Sequence, residues 1–268
     1  MDYKHFTDAN RQAWNQAAGF HKLQFEKYLQ AFKEPGYSCL DDTALALLEK
    51  VEIKNKQVVQ LCCNNGREIL SIKNLGAARC VGFDISSEFI SQGKQLAAAA
   101  QEDIGLYVLN IYDIPGRYFD GFDLVFISVG VLGWLPDLPR FFNLLNNLLI
   151  SDGKVVIYEM HPILDMFEPK KTKDPLFPVD SYFRVEPFVS EEGLDYYENQ
   201  EYESAASYWF HHKLCDIIQT SLQTGFELEY FQEYAHDLSK EYASFEHHKA
   251  NYPLSYSLVS RKNTNSQR

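Results

Sequence analysis

Between residues 57 and 160 the chain alternates short apolar runs with amphipathic segments, and this alternation restricts its fold more than any other feature. Val58-Val59-Gln60-Leu61-Cys62 reads as a buried strand, and Arg67 to Asn74 as a helix. Ala78 to Asp84 is a second strand, and Ser86 or Ser87 can cap the helix that runs to Gln101. Leu106 to Leu109 and Phe122 to Ser128 are further strands, Asp137 to Leu149 is helical, and Ser151-Asp152-Gly153 turns into a fifth strand, Lys154 to Met160. Strands that alternate with helices and cross over right-handedly predict an α/β fold. The expected architecture is a doubly wound, seven-stranded, mostly parallel sheet with an antiparallel last strand.

The flanks add to this core without opening a second domain. Residues 7–33 have helical spacing up to Pro35-Gly36, and a second helix starts at Asp41-Asp42 and reaches Val51. From Pro162 onward five prolines break the pattern, so an inserted lid or hairpin is expected, with strands at Tyr182 to Val185 and Tyr208 to Phe210 around Glu191-Glu192-Gly193. A helix from His212 to Thr224 stops at Gly225, and two closing strands follow, Phe226 to Tyr234 and Pro253 to Arg261. The reading is one domain: a helical lid region 1–50, a core 51–161, an insertion 162–208, a C-terminal helix and closing strands 209–262, and a polar, disordered tail 263–268.

Charge and cysteine usage narrow the functional classes. A formal net charge of −12 opposes phosphate backbones and anionic lipid, so neither nucleic acid nor membrane is expected as a partner. Five cysteines without a CxxC pair argue against a disulfide framework and a zinc ribbon, and no metal site is assembled. The start lacks an apolar signal core, and no apolar run approaches the ~20 residues that span a bilayer. A cytoplasmic protein is expected, and a homodimer is left open.

The chemistry is concentrated in Gln60-Leu61-Cys62-Cys63-Asn64-Asn65-Gly66 and in Val81-Gly82-Phe83-Asp84-Ile85-Ser86. Here a strand enters a tight turn ending in glycine, and a second strand ends in a carboxylate 18 residues later, where it can accept hydrogen bonds from ribose hydroxyls. There is no GxGxxG and no phosphate cradle, which disfavours a pyrophosphate ligand and suits an adenosine without phosphates.

In the order and spacing of these pieces, residues 57–161 resemble the class I, Rossmann-like S-adenosylmethionine-dependent methyltransferases, in a subgroup with a degenerate glycine turn. The family's acidic-x-Gly-x-Gly-x-Gly turn is here Gln60 to Gly66, with Gln60 for the acid and Cys62 and Asn64 for two glycines. The resemblance implies S-adenosyl-L-methionine as cofactor, held by Cys62, Asn64, Asn65, Gly66, Asp84 and Ile85, by Asp113 and Ile114 after the third strand, and by Ser128 after the fourth. On the acceptor side Trp14, Trp134, Tyr208 and His211 are expected to bind substrate. Glu159 and His161, at the exit of the fifth strand, are the expected catalytic pair, with His161 as base where the acceptor has a proton to lose. The implied activity is methyl transfer to a small-molecule acceptor. Two alternatives remain at this level: a cofactor-binding protein that has lost catalysis, supported by the eroded turn, and a nicotinamide oxidoreductase, disfavoured by the missing GxGxxG.

Overall fold

The computed structural model describes residues 3–263 except 171, 196, 198, 199, 201 and 250. Its centre is a seven-stranded sheet in the order β3-β2-β1-β4-β5-β9-β8. The parallel strands are β1 (Gln57–Leu61), β2 (Arg79–Asp84), β3 (Gly105–Val108), β4 (Phe122–Ile127) and β5 (Leu149–Met160). β9 (Ser255–Lys262) runs antiparallel to both β5 and β8 (Phe226–Tyr234). Strand order reverses between β1 and β4, the point where open α/β sheets leave a crevice at the strands' carboxyl ends.

Period-two burial places a core on each face. Val125 and Ile127 of β4, with Val155 and Ile157 of β5, pack under α6 (Leu138–Leu148) and α7 (Leu214–Gln223). Leu124, Phe126, Val156 and Tyr158 face the other way, against α3 (Asp42–Lys50) and α4 (Arg67–Asn74). The helices start where the sequence supplies caps. Asp41 accepts from the Ala44 N–H at 2.8 Å, Asp137 from the Arg140 N–H at 2.9 Å, and Ser86 opens α5 (Ser87–Ala100) by accepting from the Phe89 N–H at 3.3 Å. Gly225, at φ 91°, follows the end of α7.

Three expectations change. The long N-terminal helix is two, α1 (Lys4–Phe20) and α2 (Lys22–Ala31), broken at His21, whose buried ring meets the Leu194 carbonyl at 2.9 Å. Tyr182 to Val185 is not a strand. There the Arg184 N–H donates to the Ser181 carbonyl at 3.1 Å and its guanidinium pairs with Asp180, closing a turn that leaves Phe183 and Val185 exposed. The insertion's hairpin is instead β6 (Phe188–Glu192) with β7 (Glu203–Trp209), in a separate two-stranded sheet. The polar tail lies outside the described residues from position 264 onward.

The hairpin lies on α1. Asn10 is bonded to the Tyr208 backbone, the Ala205 N–H donates to the Gln16 side-chain oxygen at 2.8 Å, and Phe20 stacks on Tyr202 at 3.7 Å between centroids. The N-terminal helix and the insertion thus make one roof over the crevice.

Candidate cofactor and acceptor site

The turn after β1 keeps the shape of a glycine-rich turn with one glycine. Cys62, Asn64 and Gly66 all have positive φ (52°, 52° and 67°), alternating through the segment. The Asn64 N–H donates to Asp84 Oδ2 at 2.7 Å, the Asn65 N–H to the Asn64 side-chain oxygen at 2.8 Å, and the Gly66 N–H to the Cys63 carbonyl at 2.8 Å. The turn presses so closely on α5 that a Cβ at Gly93 would sit 2.7 Å from the Asn65 carbonyl oxygen. Burial, reinforced by the charges of Asp84 and Glu159, pushes the Cys62 thiol far above its ordinary range, so it is no nucleophile.

Asp84 ends β2 facing the crevice. Burial raises its pKa to about 6, against the lowering effect of the Ser86, Asn64 and Ile85 N–H groups. The Asn64 N–H donates to Oδ2 and the Ser86 N–H to Oδ1, which holds the carboxylate in place at the crevice. Ile85 lies beside it in the same wall.

At the end of β1 the Gln60 amide is fully engaged. Its oxygen accepts the Ile69 N–H at 3.1 Å, and its nitrogen donates to Glu68 at 2.7 Å and to Ser128 Oγ at 3.1 Å. Ser128 also bonds Glu68 Oε2. Glu68 was not foreseen. It is the second residue of α4, and helical side chains lean toward the N-terminus, here back over the turn.

After β3, Asn110, Ile111 and Tyr112 line the crevice. The expected pair lies too far along the chain: Asp113 is exposed, and Ile114 is buried in the core under the sheet. The first residues past the strand's carboxyl end are the ones positioned to meet a ligand there, and these are Leu109 and Asn110.

Neither member of the expected catalytic pair lines the main cavity. Glu159 is buried, and its carboxylate accepts backbone N–H groups from Gly130, Val131, Leu132 and Met160 at 2.5–3.3 Å. It fixes the loop after β4. Burial raises its pKa to about 7, opposed by those N–H groups. His161 caps the turn Pro162–Met166 by accepting the Ile163 N–H on Nδ1 at 3.1 Å, while Nε2 meets Glu233 at 3.1 Å. Burial lowers its pKa, with Glu233 opposing. Both ring nitrogens are spent on structure, so His161 is no base here.

The roof supplies an aromatic wall. Trp134 stands edge to face with Trp14 (5.2 Å) and with Trp209 (5.1 Å), and all three line the cavity. A Cβ at Gly133 would lie 2.1 Å from the Trp209 ring, so only glycine lets the indole settle there. Tyr208 is corrected by strand phase: Ser207 and Trp209 of β7 face the cavity, and Tyr208 points to His5 and Phe6 of α1. His211 does not line the cavity either. Its Nδ1 meets Asp165 Oδ2 at 2.8 Å, Trp209 Nε1 donates to the other oxygen at 3.1 Å, and Asp165 itself reaches the cavity.

The result is a cavity of about 920 Å³ under the roof, containing Cys62, Asn64, Asp84, Ile85, Ser128, Trp14 and Trp134 of the expected set but not Asn65 or Gly66. Asn65 and Gly66 shape the turn from behind; Asn65 Oδ1 is buried without a partner among the described residues. The volume lies high in the ~300–1,000 Å³ range of small-ligand sites. Among the described residues, no group of three or more His, Cys, Asp or Glu side chains could hold a metal ion, and no helix is long and apolar enough to cross a membrane.

A doubly wound sheet with its cavity at the switch point and a carboxylate ending the second strand is the Rossmann-like arrangement, whose ligands bind at that crevice. Residues 59–157, a little over a third of the chain, match the family described as methyltransferase domain. Among solved structures the chain is similar to an S-adenosylmethionine-dependent methyltransferase from Mesorhizobium loti (20% identity, TM-score 0.61, 81% of this chain and 96% of that one). It is also similar to one from Methanosarcina mazei (14%, 0.56, 81% and 97%). At these identities the likeness is one of fold. Among curated proteins it is similar to the tRNA U34 carboxymethyltransferases of Campylobacter lari (30% identity, 41% of this chain, 37% of that protein) and Aliivibrio salmonicida (31%, 50% and 39%). These matches span less than two-fifths of the relatives' own length.

The residues present fit the cofactor. Asp84 can take the ribose, Asn110 and Ile111 border the space for a base, and the turn between Cys62 and Gly66 presents backbone without a phosphate cradle.

Proposed function

We propose that this enzyme methylates a small molecule enclosed between the cofactor and the tryptophan wall. The observation that carries this reading is the roof: α1 and the β6–β7 hairpin cover a cavity with room for a second small molecule beside the cofactor. Bound S-adenosylmethionine supplies an electrophilic methyl carbon and a thioether leaving group. The chain's part is to align the acceptor and keep the site dry, which Trp14, Trp134 and Trp209 are placed to do. Where the acceptor must lose a proton, Asp165 is the carboxylate we assign as base, held by Trp209 and His211. The five free cysteines suit a reducing, cytoplasmic setting. The four regions ahead of the tail, as read from the sequence, would then work as one domain.

The tRNA-modifying relatives favour a second reading, in which a nucleotide of tRNA enters the cavity. A net charge of −12 weighs against it, because polynucleotide affinity comes largely from Lys and Arg at phosphates. The test is to incubate the enzyme with methyl-labelled S-adenosylmethionine and either a small-molecule extract or total tRNA. We expect label in the small-molecule fraction. Label in tRNA alone would replace our reading with the second.

A further inference from the structure

We propose that Glu68 is the anionic anchor for the α-ammonium group of the cofactor's amino-acid tail, a charge carried by α4 instead of by the end of β1. An ammonium leaving water needs a paired acceptor. At the carboxyl ends of β1, β2 and β4 two carboxylates line the cavity, Asp84 and Glu68. Asp84 is tied to the Asn64 and Ser86 N–H groups and belongs to the ribose end. Glu68 is different. Gln60 and Ser128 both bond its Oε2, so the carboxylate is oriented. Its Oε1 takes no hydrogen bond among the described residues and faces only the Arg67 guanidinium, at 3.7 Å. The two charges side by side on one wall match a zwitterion.

The pairing of Gln60 with Glu68 explains why position 60 is an amide. Gln60 Nε2 lies 2.7 Å from Glu68 Oε2. An acid at position 60 would set two carboxylates at that distance, where both cannot stay ionised. One site holds one negative charge, and here it has moved across the turn.

The proposal rests on the cofactor and not on the acceptor. The test is calorimetric titration with two ligands: S-adenosylhomocysteine, which has the amino-acid tail, and 5′-methylthioadenosine, which lacks it. Glu68→Gln should weaken S-adenosylhomocysteine about tenfold or more and leave methylthioadenosine within about twofold, because only the charged contact is lost. The double variant Gln60→Glu/Glu68→Gln should recover most of the lost affinity. Unchanged S-adenosylhomocysteine binding in Glu68→Gln, equal loss for both ligands, or a double variant no better than the single would each overturn the proposal. Wild-type protein that binds neither ligand would remove the cofactor assignment itself, a result distinct from those three.

Discussion

Asn10 holds the Tyr208 backbone by both its groups: Nδ2 donates to the carbonyl at 3.0 Å, and Oδ1 accepts the N–H at 2.7 Å. A helix side chain thereby acts as the strand partner that the free edge of β7 lacks. Truncating it would leave two backbone groups unpaired, at about 1–3 kcal/mol each where they are buried. Asn10→Ala should speed amide exchange over residues 203–209 and in α1 while leaving β1, β4 and β5 as protected as before. Asn10→Asp, which keeps the acceptor alone, should fall between. Equal loss of protection in the sheet would mean that the roof and the core open together.

The turn predicts an unusual tolerance. Cys62 pays about 1–2 kcal/mol for left-handed backbone that glycine adopts freely. Cys62→Gly should therefore keep stability within about 1 kcal/mol of wild type, since the relief offsets the greater freedom of glycine in the unfolded chain. Its S-adenosylhomocysteine affinity should also survive. Cys62→Val should lose about 2 kcal/mol or more, because β-branched residues are poorest at positive φ. Urea unfolding of the two variants decides it.

Glu159 should leave a mark on the pH dependence of stability. Its folded pKa is raised from 4.5 to about 7, chiefly by burial. For a carboxyl group shifted this way, the contribution to stability is fully present below pH 4.5 and is lost as pH rises toward 7. Glu159→Gln removes that titration, so its unfolding free energy should fall less over this window than that of wild type. It should also be less stable throughout, because an amide nitrogen cannot accept two of the four N–H groups. A slope identical to wild type would show that Glu159 does not titrate there.

His161 and Trp209 should separate structure from chemistry. His161→Asn keeps a capping acceptor and should retain kcat, with stability lower by ~1 kcal/mol at most from the cap. Trp209→Leu removes a cavity wall and should raise KM for the acceptor while leaving S-adenosylhomocysteine binding nearly intact. Loss of kcat in His161→Asn with a normal melting temperature would restore that histidine to the reaction.

The sheet and the helices between residues 57 and 160 were legible because each strand is a short apolar run and α5 and α6 have a capping residue before them. Arg67–Asn74 has the bounds read from the sequence, and the strands shift by a few residues at their ends, β5 by the most. The closing strands were legible for the same reason. The site was legible where a residue's place follows from the end of a strand, as with Asp84 and Ser128. Elsewhere a residue's type does not give its place. Asp113 and Ile114 rest on the resemblance alone, whereas Leu109 and Asn110 are the residues that leave β3 at the crevice. Tyr208 and Trp209 are neighbours, and only the pairing register of β7 decides which one faces inward. Glu159 and His161 have the chemistry of catalysts, but backbone groups from loops distant in sequence occupy them. Periodicity cannot show such long-range capping.

The chain has three tryptophans, and all three meet in the wall of this one cavity. Its intrinsic fluorescence is therefore a local signal. Emission from the native protein reports the roof and the space beneath it, whereas circular dichroism reports the sheet and helices. Should the roof lift before the sheet melts, the two signals would part on heating. Ligand entry would quench or shift the emission without an added dye, so the molecule carries its own optical readout of occupancy.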